Sequence, residues 1–145
     1  MNTKEVTIYT DGACSGNPGD GGWAAVILYR DQRKDIYGRE KNTTNNQMEL
    51  MAVINGLKAL KTSCTVNLYT DSLYIKKGIT EWINKWKTNG WKTSNKKPVK
   101  NMELWKELDN IASQHRINWE WVKAHNGNKY NEEADTLARK AIGNA

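Results

Sequence analysis

Apolar residues near the start of this chain follow the alternating pattern of half-buried strands. The run EVTIYTDG (residues 5–12) alternates apolar and polar positions, which predicts a first strand. A second strand is predicted over GWAAVILYR (22–30), and a weaker third strand over residues 35–42. Because the connections between these runs are short, we expect the three strands to form an antiparallel meander.

The rest of the chain alternates helical spacing with two further strand patterns. Helices are predicted over residues 43–61, about 72–87, from about 101, and over 129–143, with strands over 65–72 and 116–125. Helices separate the first, fourth and fifth strands, so these are predicted to be parallel neighbours joined by right-handed crossovers. The predicted fold class is therefore α/β: a mixed five-stranded sheet, three antiparallel strands and then parallel ones, flanked by helices in a single domain over 1–145.

Four acidic residues lie where these elements are expected to converge. Asp11 and Asp71 end the first and fourth strands in the similar runs IYTD and LYTD. If those strands are adjacent, the two side chains lie about 4.8 Å apart. Glu49 and Asp135 lie at the margins of the apolar stripes of the first and last helices. All four are thereby directed to the edge where open α/β sheets bind ligands.

Each acid also has an ordinary explanation when it is taken alone. Asp71 is a candidate helix cap, and acids at a helix margin are usually solvated or paired with lysine. Their convergence favours a metal site, because carboxylate ligands suit Mg²⁺ or Mn²⁺. One or two such ions would activate water for phosphodiester cleavage.

The two histidines differ in their surroundings. His125 lies in the polar loop AHNGNKYN, ten residues before Asp135. A structural role and a proton-transfer role are both open for it, and the nearby acids favour proton transfer. His115 lies between a helix and a strand and is expected at the surface. The glycine-rich run over 12–22 lacks the GK[ST] ending of a phosphate-binding loop and is expected to be a turn.

Positive charge is concentrated in one segment, residues 82–100, called the basic segment below. The chain has 22 Lys and Arg against 16 Asp and Glu, and the basic segment contains six lysines and no acid, so the remainder is neutral. It also holds three of the seven tryptophans. Lysines interleaved with aromatic rings favour contact with nucleic acid. The alternative is a solvated loop whose tryptophans pack in the core, and we expect Trp82 or Trp86 to have such a core role.

Several simpler observations bear on where the protein works. No apolar run approaches the roughly 20 residues that span a bilayer, and the start shows no secretory-type apolar region. Cys14 and Cys64 form no disulfide framework. We therefore expect a cytoplasmic protein without a membrane partner.

The motifs together resemble bacterial ribonuclease HI, of the type 1 ribonuclease H family. The runs that carry the resemblance are TDGACSGNPG, NNQMELMAVINGL, TDSLYIKKGI, the WKT and KKPVKN parts of the basic segment, and HNGNKYNEEAD. The resemblance covers essentially the whole chain in order. It implies a ribonuclease H-like fold and cleavage of the RNA strand of RNA–DNA hybrids, leaving 5′-phosphate and 3′-hydroxyl ends.

The resemblance also implies roles for individual residues. Mg²⁺ or Mn²⁺ would be held by Asp11, Glu49, Asp71 and Asp135, with His125 assisting proton transfer or product release. The implied substrate contacts are Cys14, Asn17, Thr44, Asn45, Asn46 and Asn131, with Trp82, Lys85, Lys87, Lys96 and Lys97 in the basic segment, which resembles the family's substrate-binding handle. The implied partner is the hybrid duplex, bound by a monomer without an obligate protein partner.

Two departures from the family pattern affect substrate contacts and not the acids. Leu73 replaces a polar side chain that contacts substrate, and Ala124 replaces a common glycine. We expect no additional N-terminal hybrid-binding module. Two other functions are less consistent with the sequence: an inactive binding module, which would lack one of the acids, and a transposase-like or resolvase-like DNA nuclease, which would lack the histidine loop and the handle.

Overall fold

The computed structural model of the chain describes residues 4–123 and 128–143, and within these ranges five strands form one mixed sheet in the order β3-β2-β1-β4-β5. The strands are β1 (Lys4–Cys14), β2 (Gly19–Tyr29), β3 (Gln32–Thr43), β4 (Cys64–Thr70) and β5 (Arg116–Trp121). β1, β2 and β3 are antiparallel, whereas β4 runs parallel to β1 and to β5. The predicted fold class is confirmed.

The helices lie close to the predicted positions. They are α1 (Asn45–Lys58), α2 (Leu73–Lys77), α3 (Ile83–Asn89), α4 (Met102–Ala112) and α5 (Lys129–Gly143), with a π-helical turn (Gly78–Trp82) between α2 and α3. Thr44 caps the start of α1, because its hydroxyl accepts a hydrogen bond from the Gln47 N–H at 3.2 Å. The helix ends at Lys58, three residues before the predicted end. β5 ends at Trp121, four residues earlier than predicted.

Side-chain alternation along the strands divides the core between the two faces of the sheet. One face carries Ile8 and Leu68, which pack with α1 and with the fully buried Trp105 of α4. The other face carries Tyr9, which packs with α5. Burying an aliphatic side chain such as Ile8 or Leu68 stabilises the fold by about 1.5–3 kcal/mol. The sheet is thus fixed from both sides, and its C-terminal edge is held in place.

The basic segment folds back on itself after α3. Gly90 ends α3 with a φ of 78°, a left-handed conformation that favours glycine. The Val99 N–H then donates to the Trp91 carbonyl at 3.0 Å, and the Thr93 N–H donates to the Lys97 carbonyl at 2.7 Å. Residues 91–99 therefore form a hydrogen-bonded loop that holds its lysines at the surface.

His115 is more closely integrated into the fold than the sequence suggests. Its Nδ1 accepts the backbone N–H of Cys64 at 3.1 Å, joining the starts of β4 and β5. Burial lowers the pKa of His115. The expectation of a simple surface residue is wrong, because the neutral ring serves as an acceptor for a backbone amide.

Within the described residues, none of the helices combines the length and hydropathy needed to span a membrane.

Candidate active site

Three carboxylates meet at the C-terminal edge of β1 and β4. One oxygen of each of Asp11, Glu49 and Asp71 lies within 4.8 Å of the others. The β1–β4 register causes this meeting, because Tyr9 pairs with Tyr69 and their rings stack at 4.5 Å. Asp11 follows two residues later on β1, and Asp71 two residues later along the chain, immediately after the end of β4. The predicted approach of Asp11 to Asp71 is found.

Glu49 reaches this edge because α1 begins very close to β1. The Gly12 N–H donates to Asp11 Oδ1 at 2.9 Å and to Glu49 Oε1 at 3.2 Å. A Cβ atom at position 12 would lie 2.5 Å from the Glu49 nitrogen, so a side chain there would push α1 away. Gly12 thereby orients two of the three carboxylates through one backbone amide.

The electrostatics of the cluster are unfavourable unless a cation is bound. Asp11 and Glu49 are each 5% exposed. Burial, together with the negative charge of Asp71, raises the pKa of Asp11 to about 8. Burial and the charge of Asp11 raise the pKa of Glu49 well above its ordinary value. Within the described part of the chain, no hydrogen-bond partner reaches the buried Oε2 of Glu49.

These residues fit a hard divalent cation. The donors are all carboxylate oxygens, and one of them is buried without a hydrogen-bond partner among the described residues. Mg²⁺ and Mn²⁺ prefer such oxygen ligands. A bound cation would offset the repulsion that raises the pKa values of Asp11 and Glu49.

Asp135 lies beside the cluster but is not one of the three carboxylates grouped within 4.8 Å. It is half-buried on α5, and its Oδ2 lies 2.8 Å from Arg139 Nη2. The charge of Asp135 contributes to raising the pKa of Asp11. His125 lies outside the described residues.

The glycine-rich turn and the start of α1 lie side by side. The Asn17 Oδ1 accepts from the Asn45 N–H at 3.4 Å, and Asn17, Asn45 and Asn46 are all exposed. Cys14 is half-buried, and its thiol donates to the Thr43 carbonyl at 3.3 Å. The amide side chains are therefore the accessible groups here.

Asn131, in the first turn of α5, is a buried polar residue. It is 2% exposed, and its N–H donates to Asn128 Oδ1 at 3.0 Å. Its Oδ1 has no hydrogen-bond partner among residues 4–123 and 128–143. Asn131 is thus buried, whereas Asn17, Asn45 and Asn46 across the site are exposed.

Tryptophans of the basic segment form an aromatic cluster against α4. Trp82 is half-buried, with its ring centroid 5.7 Å from those of both Tyr74 and Trp86. Trp86 and Trp91 pack on the main core. The expectation that Trp82 or Trp86 has a core role is therefore confirmed for Trp86. Beside them lies a groove of about 530 Å³, lined by Tyr74, Trp82, Trp86, Thr93, Ser94, Val99 and Lys100.

The lysines of the basic segment differ in how their charges are compensated. Lys85, Lys96 and Lys97 are exposed. Lys87 Nζ lies 3.4 Å from Asp109 Oδ2 of α4, which offsets part of its charge.

Sequence reasoning missed two residues that position the acids. Ser72 caps α2 by accepting the Ile75 N–H at 3.1 Å, so the explanation of Asp71 as that cap is wrong. Gly12 carries the amide between Asp11 and Glu49. A glycine within a strand pattern is a signal of close backbone approach, and that signal would have identified Gly12.

Comparisons with known proteins agree with this arrangement. The sequence pattern of the RNase H family matches residues 3–143. The chain is 82% identical over 142 residues to the ribonuclease H of Wolbachia sp. subsp. Drosophila simulans (strain wRi), covering 98% of each chain. It is 63% identical over 139 residues to the ribonuclease H of Ehrlichia chaffeensis, covering 96% of this chain and 95% of that one.

A solved structure also matches nearly the whole of this chain. LC9-RNase H1, described as a type 1 RNase H with the type 2 active-site motif, superimposes with a TM-score of 0.90 and 34% identity, over 99% of this chain and 74% of that one. The chain therefore belongs to the RNase H family, the nucleases that hydrolyse the RNA strand of RNA–DNA hybrids.

Proposed function

We propose that Asp11, Glu49 and Asp71 bind a divalent cation, Mg²⁺ with Mn²⁺ as a substitute, and that this site cleaves the RNA strand of a hybrid to leave 5′-phosphate and 3′-hydroxyl ends. The observation that carries the proposal is the carboxylate spacing within 4.8 Å, together with the buried Glu49 oxygen that has no hydrogen-bond partner among the described residues. In phosphodiester hydrolysis a cation of this kind would activate water and stabilise the leaving oxygen.

The chain's own residues prepare the site for substrate. The Gly12 amide holds Asp11 and Glu49 in one orientation. Asp135 adds a fourth acid beside Asp11, and Arg139 orients it. His125 is assigned to proton transfer, as its position in the sequence suggests.

The surface around the acids is suited to a duplex that contains RNA. Exposed Asn17, Asn45 and Asn46 are short polar side chains able to reach sugars and phosphates near the cut. The Cys14 and Thr44 side chains hold the surrounding backbone, as their hydrogen bonds indicate. The Asn131 backbone N–H is in turn held by Asn128 Oδ1.

Further from the acids, the basic segment supplies the positive charge. Its exposed Lys85, Lys96 and Lys97 would bind backbone phosphates, and Lys87 would contribute less because of Asp109. Trp82 would contact a sugar face from its side of the groove. We further propose that residues 1–145 act as one catalytic domain, as a cytoplasmic monomer.

The decisive experiment measures cleavage of an end-labelled hybrid with Mg²⁺ and with EDTA. The wild-type protein should cut only the RNA strand and only with the cation, leaving single-stranded RNA and double-stranded DNA intact. Glu49→Gln keeps the acceptor for Gly12 but loses the charge, and it should lower kcat at least about 100-fold. The matched control is Glu132→Gln, an exposed acid on α5.

Two outcomes would contradict the proposal. One is equal cutting of double-stranded DNA, which would remove the strand specificity. The other is a Glu49→Gln variant that cuts at the wild-type rate. A thermal melt gives an independent reading, because Mg²⁺ should raise the Tm of the wild type and not that of Glu49→Gln.

A further inference from the structure

Four side-chain hydrogen bonds run in a continuous chain from the end of β3 to the core beneath the basic segment. The Thr43 hydroxyl donates to Gln47 Oε1 at 2.7 Å, and Gln47 Nε2 donates to Asn101 Oδ1 at 3.1 Å. The Asn101 Nδ2 then donates to the Tyr74 hydroxyl at 3.1 Å, and Trp105 Nε1 donates to the same hydroxyl at 2.9 Å. This series of hydrogen bonds thus joins elements that lie far apart in the sequence.

The conformation of Asn101 shows that its side chain serves this connection. Asn101 is the N-cap residue of α4, yet its side chain makes no capping hydrogen bond. An asparagine at this position ordinarily caps the helix through its side-chain oxygen. Its backbone is left-handed, with a φ of 60°, so the side chain is turned toward Gln47 and Tyr74.

Both ends of the hydrogen-bond chain are fixed. Gln47 lies two residues before Glu49 on α1, at the start of the helix that brings this acid to the site. Asn101 directly follows the basic segment, and Trp105 beyond it is fully buried. Tyr74, the last acceptor, lines the groove beside Trp82 and Trp86. The hydrogen-bond chain therefore adds a polar link, made through the Gln47 side chain, to the packing that already joins these two regions.

We propose that Gln47 is a positioning residue for substrate: it fixes the basic segment relative to the acidic site, so that a duplex bound by the lysines meets the acids in a defined register. The inference rests on the proposed function of the basic segment. Gln47 acts through Asn101, and it is assigned no contact with the reacting phosphate.

The proposal predicts an effect on substrate binding and not on the chemical step. Gln47→Met keeps the length and helix propensity of the side chain but removes both of its hydrogen bonds. A basic segment that is fixed less firmly relative to the acids should bind the hybrid less tightly, with KM and Kd raised about fivefold, as expected for the loss of about one net hydrogen bond. The value of kcat should stay within about twofold of wild type, because the acids are unchanged.

A double-mutant cycle tests whether Gln47 acts through the lysines. Kd for a fluorescent hybrid is measured by anisotropy in EDTA, so that binding is read separately from cleavage. Gln47→Met is made alone and together with Lys96→Ala/Lys97→Ala. If Gln47 positions those lysines, its substitution should change Kd less than about twofold once they are gone.

The control substitutes a similar side chain on the same helix. Asn55→Leu removes a bond from Asn55 Nδ2 to the Met51 carbonyl at 2.8 Å, which stays within α1. It should leave Kd and KM unchanged in both backgrounds.

Two results would overturn the inference: an unchanged Kd for Gln47→Met, or the same fivefold rise with and without the lysines, which would indicate a direct contact. Neither result would affect the cleavage test of the proposed function.

Discussion

Replacing Asp11 with asparagine should stabilise the protein when no divalent cation is bound. The carboxyl group is 5% exposed, and its pKa is raised from 3.8 to about 8 by burial and by Asp71. Between about pH 4 and pH 8 the folded protein holds a proton that the unfolded chain has released. The contribution of this carboxyl group to the stability of the metal-free protein therefore falls as the pH rises through this window, by up to about 1.4 kcal/mol per pH unit.

The size of the effect follows from the same shift. At pH 7 the difference between the two pKa values corresponds to about 4 kcal/mol, and water entry and side-chain relaxation reduce it. We expect Asp11→Asn to raise the free energy of unfolding by about 2–4 kcal/mol at pH 7 in EDTA, and by about half as much or less at pH 5. The asparagine oxygen can still accept the Gly12 N–H.

Urea unfolding in EDTA at pH 5 and pH 7 measures this difference, provided that the m-value is unchanged. Asp31→Asn, at an exposed carboxylate in the β2–β3 turn, is the matched control and should have no such effect. Saturating Mg²⁺ should reduce the difference in unfolding free energy between Asp11→Asn and the wild type, because it stabilises the wild type. The reasoning is refuted if Asp11→Asn is no more stable than wild type at pH 7, or if its stability advantage over the wild type does not grow from pH 5 to pH 7.

Three further predictions concern other parts of the structure. His115 accepts a backbone N–H and has a lowered pKa, so its stabilising contribution should be present above about pH 6.5 and be lost as the pH falls below that value. Gly12→Ala should lower stability by about 1–3 kcal/mol and kcat by at least about tenfold, because the new Cβ displaces Glu49. Lys96→Ala/Lys97→Ala should weaken hybrid binding and reduce its salt slope by up to about 2.

Each of these has a measurement and a control. The histidine effect is read from urea midpoints measured between pH 5 and 7.5. His115→Asn should make the midpoint depend less on pH. If the dependence stays equally steep in this variant, the histidine is not its cause. For Gly12→Ala, Gly143→Ala serves as comparison, since a Cβ at position 143 contacts nothing within 4 Å. Lys34→Ala, exposed on β3, should leave the salt slope unchanged, and an equal reduction would contradict the role of the basic segment.

Sequence patterns predicted the sheet well because alternation and connection length determine strand pairing. The parallel β1–β4 pair follows from the intervening helix, and its register follows from the similar IYTD and LYTD runs. The burial of Glu49 was not predictable to the same degree. A helical wheel placed Glu49 at a stripe margin, whereas the closeness of α1 to Gly12 makes the side chain almost completely buried.

The basic segment shows why composition alone leaves side-chain roles open. Lysines and tryptophans at these spacings occur in nucleic-acid surfaces and in loops packed on a core, and both descriptions apply here. Trp86 packs on the core, whereas Lys96 is exposed. The Gln47–Asn101 hydrogen bond joins residues 54 positions apart, so no local pattern encodes it.

The π-helical turn between α2 and α3 limits how this region can change in length during evolution. Such a turn contains one residue more than an α-helical turn, and each residue rotates the helix face by about 100°. The aromatic contacts on its two sides, Tyr74 before it and Trp86 after it, both face Trp105. Deleting one residue within Gly78–Trp82 would restore a regular helix but turn Trp86 away from that partner. We therefore expect single-residue insertions and deletions to be excluded from this turn.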